Sequence, residues 1–74
     1  STMSADSHKL QGNKFFQEGL LREAIKEYST AIIKNPSNPV YYTNRARCFY
    51  KVKEHRQCIS DARRATELDS TSGS

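Results

Sequence analysis

Lys9 and Asn13 stand four residues apart, a spacing that on a helix stacks an ammonium above an amide on one face, where both can converge on a single anionic group. Asn44 adds a second amide further along, and Lys51, two helical turns beyond it, adds a second cation. Side chains of these types donate hydrogen bonds and hold charge, so the chemistry they suit is recognition of an anion. An exposed Lys or Asn is more often plain solvated surface, and spacing alone leaves both readings open.

Residues that could carry a reaction do not assemble into a pattern. Cys48 and Cys58 lack the spacing of a zinc pair, and His8 and His55 do not join them as ligands, so both thiols read as structural and no metal is expected. Ser, His and Asp are present without a nucleophile-elbow sequence, and no glycine-rich phosphate loop occurs, so the chain reads as non-enzymatic and without a cofactor.

Composition narrows the setting. A chain of 74 residues supports at most one compact domain, and with 35% apolar residues and no long apolar run it has no candidate membrane span. Ser1 to Ser7 lack the basic and apolar regions of a secretory signal, and two cysteines are too few for a disulfide framework, which points to a reducing, cytoplasmic environment. Twelve Lys and Arg against eight Asp and Glu give a net charge of +4, favouring an acidic partner. Nucleic acid is the alternative from another class, motivated by Arg45, Arg47, Lys51, Lys53, Arg56, Arg63 and Arg64. These charges fall on both helices of one segment with no reading-helix or base-stacking motif, a distribution that suits a solvated surface better than a phosphate-tracking stripe, so nucleic acid is set aside.

The elements that must hold these side chains are legible as a repeat. Shifting the sequence by 34 residues aligns Gly12 with Ala46, Phe15 with Phe49, Ala24 with Cys58, Tyr28 with Ala62, Ala31 with Ala65 and Pro36 with Ser70. That offset is the period of the tetratricopeptide repeat. Ala24, Tyr28 and Ala31 recur at i, i+4 and i+7, as do Tyr42, Ala46 and Phe49, so each unit reads as two amphipathic helices. Between the units Pro36 stops one helix, Asn38 can cap the next and Pro39 can occupy its first turn. The expected fold is all-α: helices near 6–18, 21–34, 39–52 and 55–68, paired into two stacked hairpins spanning 6–38 and 39–70, with flexible tails at 1–5 and 71–74. Small residues at 12, 24, 46 and 58 mark close helix crossings. Phe15, Tyr28, Tyr42, Phe49, Leu68 and the alanines are expected in the core. In stacked hairpins the first helix of each pair lines the inner curve, which is where Lys9, Asn13, Asn44 and Lys51 would face.

The stretches Lys9-Leu10-Gln11-Gly12-Asn13-Lys14-Phe15-Phe16 and Tyr42-Thr43-Asn44-Arg45-Ala46 resemble the K-x-x-G-N-x-x-F and Y-x-N-R-A signatures of carboxylate-clamp tetratricopeptide co-chaperones. The segment Tyr41 to Leu68, with Cys48, Lys51, His55 and Asp61-Ala62-Arg63-Arg64-Ala65, is most similar to the N-terminal repeats of chaperone-associated ubiquitin ligases within that class. The resemblance implies a ligand, the Glu-Glu-Val-Asp tail of cytosolic heat-shock chaperones of the seventy- and ninety-kilodalton classes. It also implies roles: Lys9, Asn13 and Asn44 holding the carboxylates of the terminal Asp, Lys51 assisting on an acidic or backbone group, and Phe16 and Val40 offering apolar contact. Any ubiquitin-ligase activity would then reside in a domain outside this chain.

Two departures from the class pattern bear on this. The class draws further basic residues from a third repeat, and this chain ends before one begins, so the clamp is expected to be incomplete. With each lost charged hydrogen bond worth about 1.5 to 3 kcal/mol, micromolar binding would weaken toward millimolar. Arg47 stands on the groove side where close relatives carry an apolar residue, and it either replaces part of the lost cationic grip or crowds the pocket. Two repeats are also fewer than the roughly three that bury a continuous core. The outer face of the last helix, with Ile59 and Ala62, is therefore expected to promote self-association.

Overall fold

The computed structural model describes residues 3–72, with side chains through position 70. It contains four helices and, among the described residues, no strand: α1 (Ala5–Gln17), α2 (Leu21–Lys34), α3 (Pro39–Lys51) and α4 (His55–Ser72). Helix α1 begins where Ser4 Oγ accepts the Ser7 backbone N–H at 3.1 Å. Helix α3 begins where Asn38 Oδ1 accepts the Val40 N–H at 3.0 Å, with Pro39 in the first turn, as the sequence indicates.

The repeat extends to the turns. Helix α1 closes with Leu20 N–H on the Phe15 carbonyl (2.9 Å) and Gly19 N–H on the Phe16 carbonyl (3.0 Å). Helix α3 closes in the same way one period later, with Glu54 N–H on Phe49 (2.8 Å) and Lys53 N–H on Tyr50 (3.0 Å). This paired ending requires a left-handed residue, Gly19 at φ 78° in the first case and Lys53 at φ 65° in the second. Only the first of the two is conformationally free there.

Four helix ends differ from expectation, one of them the start of α1 at Ala5 instead of position 6. Helices α1 and α3 each stop a residue early, and α4 runs four residues past position 68. Position 70 is Ser where the first unit has Pro36, so no ring terminates α4. The segment expected as a tail from 71 thus begins inside α4, and Ser4 and Ala5 belong to the cap and first turn of α1; residues 1, 2, 73 and 74 lie outside the described residues.

Helix α1 packs on α2 and α3 on α4, forming two hairpins, and α2 packs on α3 to stack them. The core holds Ala24, Tyr28, Ala31, Tyr41, Tyr42, Ala46, Cys48 and Ala65. At Gly12 the first hairpin closes so tightly that an added Cβ would lie 2.6 Å from Tyr28 Cε1. Phe15, Phe49 and Leu68 are half-buried, and Ala62 is exposed, because it sits on the side of α4 away from α3. Cys58, at the crossing position of the second hairpin, is half-buried, whereas Cys48 is fully enclosed.

A buried ion pair within the second hairpin also carries a link to the first. Arg45 donates from Nε to Asp61 Oδ2 (2.7 Å) and from Nη2 to Oδ1 (2.8 Å), and its Nη1 reaches Ser29 Oγ at 3.0 Å. One side chain of α3 thereby grips both α4 and α2. Asp61 is only 5% exposed, and its hydrogen bonds raise the Arg45 pKa further, against the opposing effect of burial.

The left-handed turns give a test of the repeat geometry. Lys53→Gly is expected to raise the unfolding free energy by about 1 kcal/mol by relieving the Cβ penalty at positive φ. Gly19→Ala, which meets nothing within 4 Å, should lower it through the same backbone penalty alone. Urea denaturation followed by circular dichroism measures both, and an unshifted Lys53→Gly midpoint would contradict the strained turn.

Candidate functional site

Helix α1 presents Lys9, Asn13 and Phe16 at i, i+4 and i+7, and α3 presents Val40, Asn44, Arg47 and Lys51 at i, i+4, i+7 and i+11. Stacking the hairpins sets these two rows side by side on one surface. Between them lies a cleft of about 360 Å³ lined by Asn13, Phe16, Gln17, Tyr28, Asn44 and Arg47. None of these six side chains is acidic.

The centre of the cleft is the Asn13 amide. The Tyr28 hydroxyl donates to Asn13 Oδ1 at 2.5 Å, and Asn44 Nδ2 approaches the same oxygen at 3.4 Å. With this oxygen accepting from both neighbours, the Asn13 NH2 group is the end with hydrogens to offer. The Asn44 contact is long and therefore weak, so this amide is easily redirected. Phe16 forms the apolar wall, with the Arg47 guanidinium 5.0 Å and the Lys51 ammonium 5.7 Å from its ring centroid.

Of the seven residues singled out in the sequence, Asn13, Asn44, Phe16 and Arg47 thus share one cleft, and Lys51 joins it through the Phe16 ring. Lys9 does not line it: its Nζ lies 3.1 Å from Asp6 Oδ1, an oxygen that also accepts the Tyr41 hydroxyl at 3.3 Å. Val40, 46% exposed in the first turn of α3, also stands outside the lining. Sequence reasoning passed over Gln17 and Tyr28. Gln17 follows Asn13 by four residues and so shares its face. Tyr28 read only as core, although a buried phenol hydroxyl needs a partner and Asn13 supplies it.

Other signals resolve differently. Arg45, counted among the surface cations, is committed to Asp61, and Arg64 pairs with Glu67 at 3.4 Å. Among the described residues no group of three or more His, Cys, Asp or Glu side chains could hold a metal ion, and no helix is long and apolar enough to cross a membrane.

Comparison with known proteins gives the geometry a context. The family model for the TPR repeat matches residues 12–53. The chain is 38% identical over 66 residues to Hsp70-Hsp90 organizing protein 2 of Arabidopsis thaliana, covering 89% of this chain and 12% of that protein. It is 42% identical over 65 residues to serine/threonine-protein phosphatase 5 of Homo sapiens, covering 88% of this chain and 13% of that one. It therefore spans only a small part of the relatives it matches. Among solved structures, the first TPR of Spaghetti (RPAP3) bound to the HSP90 peptide SRMEEVD superposes with a TM-score of 0.87 at 35% identity, covering 92% of this chain and 54% of that one.

Enclosure of the cleft floor also governs how the protein titrates. Burial pushes the Tyr28 phenol from 10.0 up to about 12, with the nearby Cys48 raising it further and Arg47 pulling against the rise. Burial likewise pushes the Cys48 thiol from 9.0 up to about 11, again opposed by Arg47. Both are acids whose folded pKa is raised, so the unfolded chain releases these protons first as pH rises. Their contribution to stability is whole below about pH 9 and is lost between about pH 9 and 12. Urea midpoints should therefore fall across that interval, and Tyr28→Phe should flatten the upper part of the profile; a flat profile in the unsubstituted protein would contradict the buried phenol and thiol.

Proposed function

The chain belongs to the tetratricopeptide-repeat family, and on that footing we propose that its inner groove binds the acidic C-terminal tail of a heat-shock chaperone by gripping the terminal carboxylate. The TPR fold is a protein-interaction module. The observation that carries the reading is the meeting of the Asn13 and Asn44 amides, from two different helices, in a cleft without an acidic side chain. A terminal carboxylate is a planar acceptor of several hydrogen bonds. Entering between the amides, it replaces the long Asn44–Asn13 contact and takes N–H groups from both. Lys9 completes the grip by leaving Asp6, an exposed partner whose ion pair costs little to break. Phe16 and Val40 offer apolar surface to the residue before the carboxylate, while Arg47 and Lys51 extend the positive field.

The likeness to a structure holding the HSP90 peptide SRMEEVD, and to an Hsp70-Hsp90 organizing protein, supports chaperone tails of the seventy- and ninety-kilodalton classes as partners. A cytoplasmic setting belongs to the same proposal. Parentage in a ubiquitin ligase is a narrower reading that rests on the resemblance over residues 41–68, and the relatives described above support the co-chaperone class without selecting that member.

NMR titration with SRMEEVD tests the grip. Shifts are expected at the side-chain amides of Asn13 and Asn44, and they should disappear when the peptide's C-terminus is amidated. Lys9→Ala should weaken the affinity and leave the unfolding midpoint in place; equal shifts from both peptides would remove the carboxylate from the account.

A second reading, self-association, draws on α4. Ile59 is 58% exposed and lines a cleft of about 720 Å³ with Ala62, Arg63, Thr66, Glu67 and Ser70. One period earlier, Ile25, Tyr28 and Ser29 occupy the corresponding positions of α2, and Ser29 there receives Arg45 of α3. The face by which the first hairpin accepts its neighbour is thus open on the second, and a further copy of the chain can cover it. Sedimentation should show concentration-dependent association that Ile59→Lys abolishes, whereas a monomer at millimolar concentration would reject this reading.

A further inference from the structure

The cleft between α1 and α3 has no acidic side chain in its lining, but the row of residues that forms its α1 wall begins with one. Asp6 precedes Asn13 by seven residues, which on a helix places both on one face about two turns apart. Its surroundings hold the carboxylate there. The first turn of α1 suits an anion, because the unpaired N–H groups of a helix start carry positive partial charge. From α3, the Tyr41 hydroxyl donates to Asp6 Oδ1 at 3.3 Å, and Tyr41 is only 2% exposed, so the contact is anchored in the core. The Lys9 ammonium lies 3.1 Å from the same oxygen.

Lys9 is thus paired with a carboxylate of its own chain before any ligand arrives. An ammonium has donors to spare, but two carboxylates drawn to one ammonium repel each other, so Asp6 and a second anion do not share it freely. We propose that Asp6 is a built-in competitor of the ligand's terminal carboxylate, and that its contact with Lys9 is autoinhibitory: binding exchanges the chain's own carboxylate on the ammonium for the incoming one. The inference rests on the tail-binding reading and adds a regulation to it. Only molecules in which Lys9 has left Asp6 offer the full grip, so the apparent affinity is reduced by their fraction. Tyr41 makes the competitor persistent, since it keeps hold of Asp6 when the lysine swings away. The contact also discriminates between ligands. A neutral chain end cannot replace Asp6 on the ammonium and leaves the contact closed. Because the Asp6 side chain is 59% exposed, the effect is graded and weakens with added salt.

The test compares the 74-residue chain with Asp6→Asn, Lys9→Ala and the double variant, each titrated with SRMEEVD and with its amidated form and followed by NMR. Asp6→Asn keeps an oxygen for the Tyr41 hydroxyl while removing the charge from Lys9. It should bind SRMEEVD about two- to fivefold more tightly than the unsubstituted chain, and in the Lys9→Ala background this gain should vanish. A second measurement needs no substitution: SRMEEVD should move the Asp6 side-chain carboxyl signal of the unsubstituted chain, and the amidated peptide should leave it in place. No gain from Asp6→Asn, an equal gain in both backgrounds, or an unmoved Asp6 signal overturns the competitor. Amidation separates this from the parent reading. If it leaves the shifts at Asn13 and Asn44 unchanged, the carboxylate grip has failed; if it abolishes them while Asp6→Asn gains nothing, the competitor alone has failed.

Discussion

The close approach of Tyr28 to Gly12 is the constraint on which the groove depends. Because position 12 has no side chain, the tyrosine ring lies flush against the backbone of α1 and brings its hydroxyl to Asn13, the next residue along the helix. One aromatic side chain thus joins the crossing of the first hairpin to the orientation of the amide in the cleft. A Cβ at position 12 would push the ring aside and release the Asn13 oxygen with it. Burial of the phenol and readiness of the amide are consequences of one packing arrangement.

Arg45 performs the corresponding task between the hairpins. It follows Asn44 directly, and on a helix adjacent residues point about 100° apart, so Asn44 faces the groove while Arg45 turns inward. There its fork meets both oxygens of Asp61 and the hydroxyl of Ser29, and its guanidinium lies 5.7 Å from the Phe49 ring centroid and 6.0 Å from that of Tyr42. The two residues of the Asn-Arg pair are therefore divided between recognition chemistry and assembly. Planar, bidentate geometry explains why this position suits arginine, since an ammonium could not span three acceptors on two helices.

Much of this was legible in the sequence, for identifiable reasons. The helices follow from small and aromatic residues recurring at helical spacing, and the junction at 35–39 follows from two prolines and a capping asparagine. The end of α4 was not legible, because a Ser- and Thr-rich stretch resembles a tail until the missing proline at position 70 is weighed. Ala62 was counted with the core alanines and also set with Ile59 on the uncovered outer face of the last helix; it is exposed, because periodicity records the pattern of a face and not whether a neighbour covers it. The site divides along the same line. Asn13, Asn44, Phe16 and Arg47 converge because helical registers fix them, whereas the position of Lys9 depends on a long, mobile side chain choosing between partners, and Asp6 is nearest. The second contact of Asp6, with the Tyr41 hydroxyl, is a relation between distant residues that no local pattern announces.

The groove's two walls are joined unlike any other pair of helices in the molecule. Interlocked side chains fix α1 against α2, α2 against α3 and α3 against α4, while α1 reaches α3 through the Asn44–Asn13 and Tyr41–Asp6 hydrogen bonds and the Arg47 and Lys51 cations over the Phe16 ring. A spacing held by polar contacts at 3.3 and 3.4 Å is softer than one held by close packing. The inner rim is therefore the edge of the molecule that close packing constrains least.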